Sequence, residues 1–370
     1  MESFVPYEID ASQIKGKTRG VFLPKNVLEV RDFVLKSLRV VIRGGGSGFV
    51  GGAIPLNGVD AVIDLSKLDL IENLDLERKT VEVEAGVILS DLQEFLKKRM
   101  LEFPIDIESR EIATIGGMIA TNAFGSRVLK YKRMENWVKW IEVVDCHGNI
   151  SRKGATELSD YAGLEGISGI IVRACLKLQN AMKRSASLIK SQDIEKLVEA
   201  ISRLKIDQKV CGIDFLDKMS SEFLGLEKNY HLIVEYENED GKLKDKEYTD
   251  LMNLKTKTYY HLFSKGYTLV EDFKILIDRI PRFSKWLEAR GIPYFGNFSI
   301  GVVHPFLNAE GEKYLLEMIK FVQSLAGQNC PKHGFGILKK EFVGSIEKKV
   351  LENVKKRTDP LNKFNVGKLI

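Results

Sequence analysis

A short apolar segment that leads into six glycines is the feature that most constrains this chain. Residues 39–52 have the sequence RVVIRGGGSGFVGG, in which Val40, Val41 and Ile42 predict a buried strand. Glycine adopts positive φ angles without a steric penalty, so successive backbone N–H groups can point toward one anion. The stretch therefore predicts a phosphate-binding loop, and a mobile glycine-rich turn is the alternative.

Two common phosphate-binding motifs do not fit this loop. Gly46, Gly48 and Gly51 match the pattern GxGxxG, but a Rossmann fold requires a helix that begins at the third glycine. The chain continues as GAIPLNG, where the glycines and Pro55 oppose a helix. A Walker loop is excluded because no Lys-Ser or Lys-Thr pair follows the glycines. The sequence predicts a phosphate cradle without a helix.

A second stretch of small residues lies at 101–125, with the sequence LEFPIDIESREIATIGGMIATNAFG. Small residues let a flat or extended ligand lie against the main chain, and hydroxyl and amide groups can hydrogen-bond to it. Helix packing is the alternative for the segment ATIGGMIA. A third small-residue loop, from Gly166 to Gly169, precedes a long β segment that ends near Gln179. The first two loops, both flanked by apolar strands, indicate one shared ligand.

Apolar periodicity predicts an α/β first half and an α+β second half. In the first half we expect a helix over 26–38, strands over 59–66 and 80–86, a helix capped by Ser90 or Asp91, and a hairpin over 140–154 with His147 exposed in its turn. A basic, serine-containing linker is expected near residue 185. In the second half we expect helices over 193–204, 213–225 and 283–290, a strand over 230–238 and a strand pair over 292–305.

Composition places the chain among ordinary globular proteins. It has 370 residues, of which 44% are hydrophobic and 29% charged, enough for two domains. No apolar run approaches the roughly 18 residues that span a bilayer, and the N-terminus lacks signal-peptide regions, so a cytoplasmic location is expected. The four cysteines include no CxxC pair, which argues against disulfides, structural zinc and iron–sulfur clusters.

The positive charge of the chain is concentrated at its end. Residues 339–370 contain nine Lys or Arg and four Asp or Glu, which equals the net charge of +5 for the whole chain. A solvated helix face is the favoured interpretation, and contact with an acidic membrane surface or redox partner is the alternative. No basic stripe alternates with aromatic residues, so a nucleic-acid partner is not expected.

The three loops together resemble the FAD-binding domain of the vanillyl-alcohol oxidase, or PCMH-type, family. KHGFGILKKEF at 332–342 is similar to the family stretch that carries an active-site histidine, and DPLNKFNVGKLI at 359–370 to its usual ending. The resemblance implies an α+β fold: a two-subdomain FAD-binding domain over 1–182, an α+β cap domain over 183–330, and a C-terminal helical segment over 331–370 that returns to the flavin. It points to the branch that oxidises D-2-hydroxy acids such as lactate or glycolate.

The resemblance also assigns cofactor-binding residues. It places the FAD pyrophosphate on the glycine loop, with Phe49 alongside, and the rest of the cofactor on the second and third loops. The implied contacts are Gly44, Gly45, Gly46, Ser47, Gly48, Phe49, Pro104, Asp106, Ser109, Thr114, Gly116, Gly117, Ala120, Asn122, Gly169 and Ile171. Members that bind flavin covalently carry a histidine inside the glycine loop. This loop carries Gly46 and Ser47 instead, which predicts non-covalent FAD.

Oxidation of a 2-hydroxy acid requires a base for the hydroxyl proton and a cation for the carboxylate. His333 matches the family histidine and is the expected base. Arg279, Arg282 or Lys332 could hold the carboxylate, and arginine suits bidentate binding better. The sequence does not rank these three.

The family's metal-binding pattern is altered in this chain. Resembling dehydrogenases bind a divalent metal with GHxGDGNxH and an acidic residue beside the catalytic histidine. Here the stretch is GNFSIGVVH, with Asn297 and His304 at the histidine positions and Lys332 at the acidic one. No metal site is expected, because one imidazole beside an ammonium does not hold zinc. We expect Lys332 to supply the positive charge.

Two other functions are compatible with the same resemblance. An alkyldihydroxyacetonephosphate synthase-like flavin transferase also lacks the metal stretch, but that enzyme type has several histidines before its HGxG motif, where this chain has Cys330-Pro331-Lys332. A non-catalytic flavin subunit of a larger dehydrogenase complex is the third alternative. The electron acceptor and the oligomeric state, a homodimer included, are left open.

Overall fold

The computed structural model describes residues 5–56, 61–329 and 332–370 of the chain. The chain divides into two compact units. Unit 1 comprises Met1–Phe124, Arg133–Ala181 and Lys332–Ile370, and unit 2 comprises Gly125–Lys132 and Met182–Pro331. The short segment Gly125–Lys132, which directly follows the second loop, therefore belongs to unit 2, and this crossing was not expected from the sequence. The domain boundaries inferred from the resemblance stay a prediction.

The elements are numbered along the chain. Up to residue 181 they are β1 Val21–Phe22, α1 Val27–Lys36, β2 Val40–Arg43, β3 Ala61–Asp64, β4 Ile71–Asp75, β5 Thr80–Glu84, α2 Leu89–Lys97, β6 Leu101–Glu102, α3 Ile115–Ala120, α4 Val128–Tyr131, β7 Val138–Val144, β8 Ile150–Gly154, β9 Ile170–Lys177 and β10 Gln179–Asn180. All belong to unit 1 except α4.

The remaining elements, apart from short 3₁₀ turns, continue the numbering. They are β11 Arg184–Ser191, α5 Ile194–Leu204, β12 Val210–Leu216, α6 Lys218–Phe223, β13 Tyr230–Glu237, α7 Asp245–Thr256, α8 Thr258–Ser264, β14 Leu269–Val270, β15 Phe273–Lys274, α9 Ile280–Glu288, β16 Tyr294–Gly296, β17 Val302–Leu307, α10 Leu315–Ser324, β18 Gln328–Asn329 and α11 Ser345–Thr358. Only α11 belongs to unit 1. Among the described residues, no helix is both long and apolar enough to cross a membrane.

Unit 1 contains a parallel sheet and an antiparallel sheet that share one core. The parallel sheet has the order β1-β3-β2, and the antiparallel sheet has the order β4-β5-β9-β7-β8. Val30 and Val34 of α1 lie in the same buried cluster as Val40 of β2 and Val172 of β9. Burying these side chains between helix and sheets removes apolar surface from water, which stabilises the arrangement. The pair β6–β10 forms a separate two-stranded ribbon.

The hairpin of unit 1 follows from its turn chemistry. Strands β7 and β8 pair antiparallel, and Gly148 between them has φ +77°. One carboxylate oxygen of Asp145 accepts the backbone N–H groups of His147 and Asn149, both at 2.9 Å. Such an Asx turn orders the loop locally. His147 is exposed, as predicted.

Unit 2 is built on an eight-stranded sheet with the order β11-β13-β12-β16-β17-β15-β18, and β14 pairs with β17. The strand pairs of this sheet in the described part of the chain are antiparallel. Asp193 caps α5 by accepting the N–H groups of Glu195 and Lys196. The α+β character predicted for this half is therefore confirmed.

Three local predictions are wrong. The expected linker near residue 185 lies in β11, because residues 184–191 pair along their whole length with β13. The expected helix over 213–225 is a strand end followed by the short α6, with Asp217 as the cap between them. Neither Ser90 nor Asp91 caps α2, which begins after Ile88 without a side-chain cap. The strand expected over 59–66 covers 61–64, and residues 59–60 lie outside the described part of the chain.

Buried charges tie Gly125–Lys132 into unit 2. The guanidinium of Arg127 donates to both carboxylate oxygens of Glu235 at 2.9–3.1 Å. Lys130 forms an ion pair with Glu237, and Lys255 donates to Ser126 at 2.7 Å. Burial would raise the pKa of Glu235, but the nearby cations Arg127 and Lys255 outweigh it and hold that pKa at about 2.

We predict that replacing Arg127 destabilises unit 2 in a pH-dependent way. Arg127→Met leaves the Glu235 carboxylate buried without its main partner, so the free energy of unfolding at pH 7 should fall by about 3–5 kcal/mol. A carboxyl group whose pKa is lowered by folding stabilises the folded state at pH values above its usual pKa of about 4.5. This stabilisation is lost as the pH falls toward 2. The loss caused by the substitution should therefore be smaller at pH 3 than at pH 7.

Urea unfolding followed by circular dichroism at the two pH values measures this difference. Arg203→Met on the exposed face of α5 is the matched control and should change the free energy of unfolding by less than about 0.5 kcal/mol. An equal loss for Arg127→Met at both pH values would contradict the assignment.

Candidate active site

The glycine loop lies directly against the second loop of unit 1. A Cβ atom on Gly44 would stand 2.3 Å from Oγ1 of Thr114, and one on Gly45 would stand 1.7 Å from the carbonyl oxygen of Ile112. Neither position has room for a side chain unless the two backbones separate. The two loops, about 70 residues apart in sequence, therefore form one continuous surface, as the sequence predicted.

The tip of the glycine loop is open. A Cβ on Gly48 would meet no atom within 4 Å, whereas Gly46 has φ +65° and its carbonyl oxygen accepts the N–H of Ala11 at 3.3 Å. Ser47 and Phe49 are half-buried. A phosphate can approach this backbone closely, because small residues leave the N–H groups accessible and the fold already fixes the loop on both sides.

The second loop ends in the short helix α3. Thr114 caps it by accepting the N–H of Gly117 at 3.3 Å, and the N–H of Gly116 donates to Ala85 at 2.8 Å. A Cβ on Gly116 would lie 2.7 Å from Cβ of Ala85. The segment ATIGGMIA is thus both a helix-packing element and part of the loop surface. Earlier in the loop, Pro104 is buried and Asp106 pairs with Arg110 at 3.4 Å, while Ser109 starts the turn into Ala113.

The remaining predicted cofactor residues lie around α3 and β9. Asn122 has φ +48° and accepts the N–H of Glu135, and the carbonyl oxygen of Ala120 accepts the N–H of Glu165 at 2.8 Å. Gly169 has φ +154°, and a Cβ there would stand 2.7 Å from Val143. Ile171 is buried in β9. The φ angle and the close contact at Gly169 favour glycine there. The third loop therefore has a structural role in addition to the predicted binding of FAD.

Lys332 and His333 return to unit 1 next to these loops. The half-buried imidazole of His333 packs edge-on against Phe49, with ring centroids 5.1 Å apart. The side chain of Lys332 is 3% exposed, with its ammonium 3.5 Å from Glu108 and 5.8 Å from the centre of the Phe124 ring. The glycine loop, an imidazole and a buried cation therefore meet within one unit.

The other predicted catalytic residues belong to unit 2. His304 in β17 is fully buried, and its Nδ1 lies 2.7 Å from Oδ1 of Asp272, which fixes the orientation of the ring. Asn297 donates to Asp214 at 2.6 Å, and Asp214 pairs with Lys255 at 3.0 Å. Arg279 is exposed and pairs with its neighbour Asp278 at 3.2 Å. Arg282 is exposed as well.

Sequence patterns did not single out Glu165 or Asp272. Glu165 is buried, has φ +50°, and accepts the N–H groups of Phe335 and Gly336 at 2.6 and 2.8 Å. Its partner residues are 170 positions away in sequence, so no local pattern could reveal the contact. Asp272 stands in a charged dipeptide that is typical of a surface turn, yet it is buried against His304.

The cradle fits the pyrophosphate of FAD. Backbones without Cβ atoms approach each other at Gly44 and Gly45, and the open space at Gly48 lies on the same loop. A family model described as "FAD binding domain" matches residues 18–154, which include the first two loops and the hairpin. Residues 18–154 therefore match an FAD-binding domain, as the resemblance to the PCMH-type family implied. FAD is its cofactor, and the predicted fold class is confirmed.

Relatives of this chain are named as dehydrogenases and as a subunit of an oxidase. The D-lactate dehydrogenase of Archaeoglobus fulgidus is 26% identical over 90% of this chain and 86% of its own length. The glycolate oxidase subunit GlcD of Bacillus subtilis is 30% identical over 57% of this chain, which spans about half (48%) of that protein. A solved alkyldihydroxyacetonephosphate synthase superposes with a TM-score of 0.70 at 17% identity, over 93% of this chain and 76% of that one. This likeness supports the fold. The protein is an FAD-dependent oxidoreductase.

We predict that Gly45→Ala disrupts FAD binding. The new methyl group would lie 1.7 Å from the Ile112 carbonyl oxygen, so the two loops must separate. Forcing atoms into a packed contact costs about 1–3 kcal/mol, so the dissociation constant for FAD should rise roughly ten- to hundred-fold. Fluorescence titration of the apoprotein with FAD measures this change.

Gly154→Ala on β8 is the matched control, because a Cβ there meets nothing within 4 Å. It should bind FAD as the unmodified protein does. If Gly45→Ala also bound FAD with unchanged affinity, the close approach of the two loops would not be what forms the cofactor site.

Proposed function

We propose that this protein oxidises a small 2-hydroxy acid, such as D-lactate or glycolate. The observation that carries the proposal is the position of His333, whose ring packs against Phe49 of the glycine loop while the adjacent Lys332 is buried. A base and a cation beside the cofactor loop are the two groups that this oxidation requires. When bound, FAD supplies the chemistry of accepting a hydride.

His333 is the proposed base. Imidazole accepts a proton near neutral pH, so it can take the proton of the substrate hydroxyl as the C–H bond at the same carbon breaks. The edge-on contact with Phe49 limits rotation of the ring, and the two backbone N–H groups bound by Glu165 fix the main chain two and three residues later. The imidazole is therefore held in one place relative to the glycine loop.

Lys332 is the proposed partner of the substrate carboxylate. Its ammonium is nearly fully buried, and its ion-pair partner Glu108 stands at 3.5 Å, beyond the usual length of a charge-assisted hydrogen bond. A carboxylate from the substrate can provide the closer contact. Arg279 and Arg282 suit this role less well, because both are exposed and Arg279 already pairs with Asp278. We therefore favour Lys332 over the two arginines, although an arginine is better suited to bidentate binding of a carboxylate.

Non-covalent attachment of FAD is part of the proposal. The glycine loop offers Gly44 to Gly48 for the pyrophosphate, and Ser47 is its only side chain between those positions. No histidine or cysteine stands in the loop to form a bond to the flavin ring.

The two alternative functions, a flavin transferase and a non-catalytic flavin subunit, predict a different response of the flavin to hydroxy acids. The structural likeness to an alkyldihydroxyacetonephosphate synthase concerns the fold, and the B. subtilis relative is named as a subunit. A transferase or a non-catalytic subunit would retain bound flavin that hydroxy acids do not reduce. The oxidoreductase proposed here would lose its visible absorption when its substrate is added without oxygen.

We predict that a D-2-hydroxy acid reduces the flavin and that His333→Gln slows this step by roughly 10²–10⁴-fold, the usual contribution of a general base. Stopped-flow absorbance under anaerobic conditions measures the rate with D-lactate, glycolate and the longer D-2-hydroxyglutarate. His147→Gln in the exposed hairpin turn is the matched control and should keep the rate of the unmodified protein. If none of the three acids reduces stably bound flavin, the assignment moves to the transferase or the subunit.

A further inference from the structure

The last residues of the chain extend the parallel sheet of unit 1 beyond β2. The N–H of Val40 donates to Lys363, and the N–H of Asn365 donates back to Val40, at 2.8 and 2.9 Å. Val40 and Phe364 form a parallel bridge. Because β2 is an edge strand that leads directly into the glycine loop, the tail at 363–369 lies beside the start of that loop.

Two side chains of this tail bind the backbone on both sides of the glycine loop. The amide oxygen of Asn365 accepts the N–H of Ile42 at 2.9 Å, and the ammonium of Lys368 donates to the carbonyl oxygen of Gly52 at 2.7 Å. Asn365 is 3% exposed and Lys368 only 1%. Buried polar side chains of this kind are costly unless they are hydrogen-bonded, so these contacts define the position of the loop ends.

The same tail contacts the segment that follows His333. The N–H of Leu369 donates to Gly336 at 2.9 Å, and the amide group of Asn365 donates to the carbonyl oxygen of Glu165 at 2.6 Å. The carboxylate of Glu165 in turn accepts the N–H groups of Phe335 and Gly336. Glu165 and the tail thus hold the histidine segment from two sides.

The segment 333–337, which begins with His333, is closely packed against neighbouring backbone and side chains. A Cβ on Gly334 would lie 2.7 Å from the Glu165 carboxylate, and one on Gly336 would lie 2.2 Å from the carbonyl oxygen of Val50. The N–H of Ile337 also donates to Val50 at 2.8 Å, which joins the segment to the glycine loop. The four residues that follow His333 are therefore all held by contacts with Glu165 or Val50.

Glu165 and Lys368 also interact electrostatically. Burial raises the pKa of Glu165 and lowers that of Lys368 to about 7, and the opposite charge of each partner works against its shift. Asp10 adds a second negative charge near Lys368, and Arg43 adds a positive one.

We propose that Glu165 and Lys368 are positioning residues that hold His333 against the glycine loop, so that the contacts of segment 363–369 affect the rate of substrate oxidation. This inference rests on the proposed role of His333 as the base. A misplacement of about 1 Å can reduce a catalytic rate by about a hundred-fold, so a device that fixes this loop has a measurable effect.

Lys368→Met and Glu165→Gln test the proposal in the full-length holoenzyme. Each should retain FAD and its cooperative unfolding transition, while the rate of flavin reduction at saturating substrate falls by about ten- to hundred-fold. The substrate concentration at half-maximal rate should change little, because Lys332 is untouched. Lys349→Met and Glu347→Gln on the exposed face of α11 are the matched controls and should react at the normal rate.

A double-mutant cycle with His333→Gln separates positioning from general structural damage. If Lys368 acts through His333, then Lys368→Met should slow the His333→Gln variant no further. Additive losses, or an unchanged rate in Lys368→Met and Glu165→Gln, would overturn the inference. A normal rate in His333→Gln alone would instead contradict the assignment of His333 as the base. That result differs from additive losses in the double variant and from an unchanged rate in Lys368→Met and Glu165→Gln.

A measurement without flavin gives an independent readout. In the apoprotein, diethyl pyrocarbonate should modify His333 several-fold faster in the two variants than in the unmodified protein, as the segment detaches. The exposed His147 serves as the internal reference, with mass spectrometry locating each modified histidine. Equal modification of His333 in the variants, their controls and the unmodified protein would contradict the positioning role.

Discussion

The contact between the glycine loop and the second loop is the constraint on which the site depends. At Gly45 the two backbones are so close that a single methyl group would overlap the Ile112 carbonyl oxygen. Such an approach is available only to glycine, and it turns two segments that are remote in sequence into one surface. The parallel strands β2 and β3, the core beneath α1 and the cap of α3 by Thr114 all fix the loops in that contact.

Buried polar residues then determine where the reactive groups stand. In unit 1, Glu165, Asn365 and Lys368 connect the start of the glycine loop, its end and the segment after His333. In unit 2, the bidentate Arg127–Glu235 pair anchors the segment that follows the second loop. An apolar core would tolerate small shifts, whereas hydrogen bonds at 2.6–2.9 Å specify one geometry.

Much of this could be predicted from local sequence. Glycine spacing and Pro55 excluded a Rossmann helix after the loop, and the resemblance of three loops indicated FAD and the α+β class. Contacts over long sequence separations could not be predicted, because no local pattern encodes a carboxylate at 165 that binds N–H groups at 335 and 336. The error over 213–225 has a similar origin, since apolar spacing there fits a helix until β12 pairs with β13 and β16. The predicted cap of α2 was wrong because the helix begins at Leu89, so Ser90 and Asp91 lie within its first turn and do not cap it.

The flavin content of the purified chain tests the central claim most directly. The visible absorption spectrum is recorded before and after incubation with FAD, and again on the soluble fraction after denaturation. The account predicts one FAD per chain, with all of the flavin released into solution when the protein unfolds. A colourless protein that takes up no FAD would contradict the cofactor site formed by the two loops, and flavin that stays on the unfolded chain would contradict its non-covalent attachment.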